Sequence, residues 1–246
     1  MIKYIIFLLI ASQIYYSRAD IMGGAFVLTQ DSESNIISHN NNITSGKIIA
    51  GKTYLVDDKI IEISTTTNTS LYLSGGIIID IGANSKLSIN LFEQDILNIN
   101  DLPRLAKIGN HNINITFDVG DFSIIYPSYT TQSYFSINTP ITSYQLTGGK
   151  YNFKITDISV IAYVYEGSME IVEDKKTDKR EKGKLTISIP FSDSNSGISD
   201  KIISSVKTIN STETNKFNSN VLLADKKIND VQFFIIDKQL VGISLK

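Results

Sequence analysis

FSINTPITSYQLTGGKYNFK, residues 135–154, decides the fold. It opens on an alternating strand, Phe135 and Ile137 against Ser136 and Asn138, and closes on another, Tyr151 and Phe153 against Asn152 and Lys154. Such alternation puts one face of a strand in a core and the other in water. Thr139-Pro140 ends the first strand, because proline has no N–H to give to a ladder. Gly148-Gly149 is expected to supply a tight, positive-φ turn into the second.

The same period of two runs outward from about residue 53 to 172. Ile113, Ile115, Phe117 and Val119 alternate with Asn112, Asn114, Thr116 and Asp118; Leu87, Ile89 and Leu91 alternate with Lys86, Ser88 and Asn90. ISVIAYVY, residues 158–165, is apolar on both faces, as a strand covered on two sides would be. Turn signals recur at Asn68, Gly75-Gly76, Gly82 to Ser85, Gly109-Asn110, Gly120-Asp121, Pro127-Ser128, Gly148-Gly149 and Gly167. Short strands with that punctuation predict an all-β, antiparallel-rich sandwich or roll, or a short β-solenoid, in which LSGGIIIDIGANSKLSINL would form two rungs. Residues 91–110 break the pattern and read as a loop, with room for one helical turn before Pro103.

The C-terminal third reads differently. EDKKTDKREKGK, residues 173–184, mixes six basic and four acidic side chains, the composition of a solvated linker or hairpin. After the strand LTISIPF, the residues Ile198, Ile202, Ile203, Val206 and Ile209 fall at helical spacing with Ser199 as N-cap. Residues 231–245 read as a hairpin around Asp237-Lys238. The expected organisation is a leader over 1–19, a β domain over 20–172, a charged connection over 173–184 and a small helix-plus-hairpin appendage over 185–246.

The leader is MIKYIIFLLIASQIYYSRAD. Lys3 precedes an apolar run from Tyr4 to Ala11, and Ser17-Arg18-Ala19 fits a small-x-small cleavage site between Ala19 and Asp20. The run is shorter than the roughly 20 residues a spanning helix needs. The expectation is export to the periplasm or the extracellular space, with no membrane span in the mature chain. Cleavage would remove Lys3 and Arg18, leaving 21 basic and 25 acidic side chains and a net charge of −4. That balance gives no basic footprint for nucleic acid.

The chain has no cysteine, so thiol catalysis, disulfides and zinc–thiolate sites are excluded. Its two histidines, His39 and His111, sit in polar turns without ligand spacing and read as surface residues. No serine occupies a G-x-S-x-G elbow, and no glycine loop for phosphate is present. DSNSG, residues 193–197, lacks the acidic closing ligand of a calcium loop, with Ser204 in its place. No cofactor is implied. Asp57, Asp58, Asp118, Asp121, Glu166 and Glu170 qualify by type as hydrolytic acids, yet read as turn and strand-end residues. Tyr126, Tyr129 and Tyr134 gather in one loop region and would suit stacking on a sugar or peptide. Four N-x-S/T sites, at Asn42, Asn68, Asn114 and Asn210, arise readily in so Asn- and Ser-rich a chain.

Residues 120–172 as a block read GDFSIIY, YFSINTP, YQLTGGKYNFKI and VIAYVYEGSMEIV. The block resembles the FecR domain, with its Gly-led strand (Gly120), F-x-I-x-T-P arm (Phe135, Ile137, Thr139, Pro140), short arc into a second arm (Leu146, Gly148, Tyr151) and closing E-G-x-V-x-V (Glu166, Gly167, Met169, Ile171). The upstream stretch from Gly46 to Ile89 follows the family's strand pattern too, so the likeness spans about residues 20–172. The chain departs from the family at Thr147, where arginine is usual, at Gly149, where threonine is usual, and at Tyr144 and Gln145. In classical members the domain accompanies an anti-sigma segment and a transmembrane helix. With its one apolar segment at residue 4, this chain looks instead like a stand-alone exported FecR-domain protein. The resemblance implies a non-enzymatic role, binding another envelope protein or taking part in extracytoplasmic sensing. The alternative is a module for cell-wall or extracellular polysaccharide, and a third reading is a carboxylate-dependent hydrolase.

Overall fold

A computed structural model of the chain describes residues 20–38, 43–96, 104–105, 108–127, 132–173, 176–181, 185–191, 201–207, 231–236 and 239–244. These residues are all-β. The strands are β1 (Asp20–Leu28), β2 (Ser32–Ser38), β3 (Ile43–Ile48), β4 (Thr53–Val56), β5 (Lys59–Thr65), β6 (Thr69–Leu73), β7 (Ile77–Ile81), β8 (Ser85–Ile96), β9 (Arg104–Leu105) and β10 (Ile108–Tyr126). There follow β11 (Tyr134–Asn138), β12 (Ser143–Leu146), β13 (Gly149–Thr156), β14 (Ser159–Glu166), β15 (Ser168–Glu173), β16 (Lys176–Glu181), β17 (Leu185–Phe191), β18 (Lys201–Lys207), β19 (Val231–Ile236) and β20 (Gln239–Ser244).

They form two facing sheets. The first runs β16-β15-β12-β11-β10-β8-β5-β2-β3. The second runs β4-β1-β6-β7-β10-β13-β14-β17-β18. Among the described pairings only β10–β11 is parallel. Two strands belong to both sheets. β1 pairs β8 through Asp20–Gly23, then β4 and β6 from Gly24 onward. β10 does the same, so β1, β8, β10, β7 and β6 close a ring on themselves. β6 and β7 pair antiparallel and β8 lies in the opposite sheet, so the two-rung solenoid does not form.

Gly120 shows how a strand changes sheet. Read from sequence as a turn, it is a bend inside the 19-residue β10. Its φ is +124°, and a Cβ there would meet the Ser85 side chain at 2.0 Å. The register against β8 slips between Phe117 and Val119. The inward parity therefore flips, from Ile113, Ile115 and Phe117 to Phe122, Ile124 and Tyr126. Phe117 and Phe122, on one strand, face each other with ring centroids 3.9 Å apart and planes 4° from parallel. Phe153 meets Phe117 edge-on at 5.7 Å, and Tyr144 meets Phe153 at 5.3 Å. Each such fully buried ring contributes about 1.5–3 kcal/mol over an exposed one.

Three further expectations are corrected. Residues 91–96 continue β8 and pair with β1 and β10, so the predicted loop begins later than the sequence suggests; residues 97–103 lie outside the described residues. The helix expected from Ser199 is absent over 201–207, which form β18 paired along its length with β17. The isoleucine spacing there suits either structure, and the available partner strand decides. Strands β19 and β20 pair antiparallel, as the hairpin reading expects, and join β9 in a small third sheet; Asp237 and Lys238 lie outside the described residues. Finally, the turn signal at Gly167 does not close a hairpin: β14 and β15 do not pair with each other, and Glu166-Gly167 carries the chain from the second sheet back to the first.

Candidate functional site

The opening stretch resolves into a turn and a crossing. Thr139 Oγ1 donates to the Thr142 carbonyl at 2.7 Å and accepts the Thr142 N–H at 3.1 Å, closing the β11–β12 hairpin around exposed Pro140. Phe135 and Ile137 are fully buried, and Phe135, Leu146 and Met169 stand in register across β11, β12 and β15. After Leu146 the chain passes to the second sheet through Thr147, Gly148 and Gly149. Neither glycine has a positive φ; that conformation belongs to Gly167, at +85°, on the neighbouring crossing.

The two crossings lie against each other. The Thr147 N–H donates to the Ser168 carbonyl at 3.0 Å, and the Ser168 N–H donates to Thr147 Oγ1 at 3.0 Å. The Tyr151 hydroxyl lies 2.5 Å from the Thr147 carbonyl and 2.8 Å from that of Ser168. Burial pushes the Tyr151 phenol up to about 12, so it remains a donor. Lys150 Nζ sits 3.4 Å from Glu166 at the same corner. Tyr151, Thr147 and Ser168 thus join the two crossings.

The outer face of the first sheet carries a polar centre, with Ile37, Ile43 and Ile60 in register at its β2–β3–β5 end. One row crosses it strand by strand: Ser45, Asn35, Glu62, Ser88, Thr116, Asn138 and Ser143. Its side chains bond laterally. Asn35 Nδ2 donates to Glu62 at 3.0 Å, and Ser45 donates to Asn35 at 2.9 Å. The register slip at Asn114 aims Asn90 at both Asn114 (2.8 Å) and Thr116 (2.7 Å). Asn114 donates to Ser136 at 2.9 Å and accepts from Asn138 at 3.0 Å, while Ser143 donates to Asn138 at 2.9 Å. Tyr134, at the start of β11, is 54% exposed on this face.

The tyrosine cluster does not form as expected. Tyr126 is buried in the core, its ring edge-on to Phe135 at 5.2 Å, because the bend at Gly120 turns even-numbered residues inward. Tyr129 lies outside the described residues. His111 is likewise corrected from surface to core. Its Nε2 is 2.8 Å from the Tyr126 hydroxyl, and burial lowers its pKa to about 4, so the ring is neutral. His39, Ala19 and residues 193–197 lie outside the described residues; Asp20 is the first residue of β1.

Asp118 and Glu166 each stand beside their own lysine. Asp118 stands on the first sheet 4.0 Å from Lys86 Nζ, which also reaches Glu62 at 3.9 Å. Burial raises the Asp118 carboxyl above its ordinary range, with Lys86 pulling the other way. Glu166 is at the sheet crossing with Lys150. Among the described residues no three His, Cys, Asp or Glu side chains are placed to hold a metal ion.

Among the described residues, a concave feature lies on the second sheet. A cleft with about 420 Å³ of room opens where Ser70, Asp80 and Ser123 stand side by side on β6, β7 and β10. Ser70 donates to Asp80.

No family model matches the chain, and no curated protein matches it. Two crystal structures of a "putative anti-sigma factor" from Parabacteroides distasonis ATCC 8503, at 2.50 and 1.65 Å resolution, are similar to it. Each is 12% identical, covers 68% of this chain and 73% of its own, and superposes with a TM-score of 0.45. A likeness at that identity and score fixes neither family nor activity.

The sequence reading passed over the cleft. Its signal is IIIDI, residues 77–81, where a single carboxylate interrupts a run of isoleucines on a strand buried on both faces.

Proposed function

We propose that the protein is an exported FecR-like β protein without catalytic activity, which binds a second envelope protein in extracytoplasmic sensing. The observation that carries this reading is the meeting of the resembling blocks. Phe135, Leu146 and Met169 lie in one cross-strand row, and the two crossings beside them are pinned by Tyr151. Residues scattered over 120–172 are thus brought together, which supports this reading. The separation of Asp118 from Glu166, each beside its own lysine, favours a structural role for both.

The hydrogen-bonded outer face of the first sheet suits contact with a protein. Its side chains are already held in place by lateral hydrogen bonds, so little rotamer entropy is lost on docking. A photo-reactive residue at Tyr134, in native cells, should capture one specific envelope protein. The same group at Ile158, exposed in the β13–β14 turn, should not. Capture of no specific partner from Tyr134 contradicts the proposal.

A further inference from the structure

The outer face of the second sheet is covered along much of its length. Ala25, Val27, Tyr72, Ile78, Ile125 and Tyr163 lie outside the inter-sheet core cluster, yet all are buried. β20 lies close to β1 and β4. Beside the covered stretch, the character of the sheet changes. Ser70, Asp80 and Ser123 form one row, and Gln30, Thr69 and Asp121 join them in lining the cleft.

A sheet surface gains nothing from burying hydroxyls unless they are bonded. Here they are bonded and aimed. Ser70 donates to Asp80, Asn152 Nδ2 donates to Ser123 Oγ at 2.8 Å, and the Gln30 N–H donates to Thr69 Oγ1 at 3.1 Å. The lining offers carboxylates, hydroxyls and the side-chain amides of Gln30 and Asn68, and among the described residues it holds no Lys, Arg or His. An anionic ligand would meet two carboxylates, with Lys154, opposite Asp121 on β13, as the one neighbouring cation among the described residues. A mainly apolar ligand would strip water from those carboxylates without replacing their hydrogen bonds. A neutral sugar fits both constraints. Its neighbouring hydroxyls can donate to the two oxygens of one carboxylate, while its ring oxygens accept from side-chain hydroxyls and amides. The available room falls at the lower end of the range for small-molecule sites, enough for one or two rings.

We propose that this cleft binds a neutral pyranose sugar, free or as part of a short oligosaccharide, with Asp80 and Asp121 accepting its hydroxyl protons. The site is separate from Tyr134 and from the face proposed above for a protein partner, so either can fail without the other.

Isothermal titration of the purified protein with glucose, galactose, mannose, N-acetylglucosamine and their disaccharides tests it. At least one should bind saturably with Kd below about 10 mM. Asp121→Asn, Asp121→Ala and Gln30→Ala should each weaken that sugar by about tenfold, the scale of one hydrogen bond to a charged group. Both positions are exposed, so these variants should keep the wild-type thermal midpoint. Tyr134→Ala should bind as wild type. Binding of no neutral sugar overturns the proposal. So does sugar binding that survives all three cleft substitutions, or that is lost with Tyr134→Ala. Titration with calcium chloride that shows saturable binding, where no sugar does, identifies a cation site and overturns it as well.

Discussion

The Tyr151 hydroxyl lies 2.8 Å from the carbonyl oxygen of Ser168, seventeen residues along the chain and on the opposite sheet crossing. The same hydroxyl reaches the Thr147 carbonyl at 2.5 Å. One buried phenol therefore joins the segment that leaves the first sheet to the segment that returns to it. Tyr151→Phe keeps the ring and removes the bond. Urea denaturation should show a loss of about 1–2 kcal/mol with an unchanged m-value. A loss below about 0.3 kcal/mol would mean that the crossings hold without this contact.

Gly167 and Gly51 separate strain from collision. Both have positive φ, +85° and +76°. A Cβ at Gly167 would lie 2.2 Å from the Gly148 carbonyl oxygen, whereas one at Gly51 meets nothing within 4 Å. Gly51→Ala should cost about 1 kcal/mol, from backbone strain alone. Gly167→Ala should cost at least about 3 kcal/mol or prevent folding, because the backbone of the neighbouring crossing must move. Equal thermal midpoints for the two variants would show that the crossings are not tightly packed.

His111 makes stability depend on pH. Its pKa falls from the ordinary 6.5 to about 4 on burial. The unfolded chain therefore binds the proton more readily than the folded one between those values. The stability that this residue contributes is fully present above pH 6.5, is lost as pH falls toward 4, and stays level below that. The loss is about 3 kcal/mol at most. Asp118 acts in the opposite sense at the acid end, since its raised carboxyl is more stable protonated in the fold. Urea titrations at pH 7 and 4.5 should show His111→Gln losing less stability on acidification than the wild type. Parallel losses would place the pH dependence elsewhere.

Asp118→Ala and Glu166→Ala should each change stability by less than about 1 kcal/mol, because both acids face lysines at partly exposed positions. Neither should abolish an activity. Loss of a hydrolytic activity in both variants would restore the hydrolase reading.

Much of this architecture was legible in alternation. The spacing of Leu87 and Ile89, of Ile113 to Phe117 and of Tyr151 to Ile155 identifies strands and their inward faces. Alternation does not say which sheet a strand joins. The change at Gly120 depends on a register slip and a positive φ, and it moves Tyr126 into the core against His111. A histidine and a tyrosine 15 residues apart gave no local sign of meeting. The helix expected from Ser199 failed for a related reason. Isoleucine spacing over 201–207 suits a helix, but β17 supplies ladder partners that outweigh a local pattern. The cleft stayed hidden because Ser70, Asp80 and Ser123 come from three strands and adjoin only through pairing.

Partner binding in the envelope requires that the chain leave the cytoplasm. The most direct measurement is the N-terminal sequence and cell fraction of the native protein. The account predicts a mature chain that begins at Asp20, recovered outside the cytoplasm. An intact chain that begins at Met1 in the cytosolic fraction would contradict it.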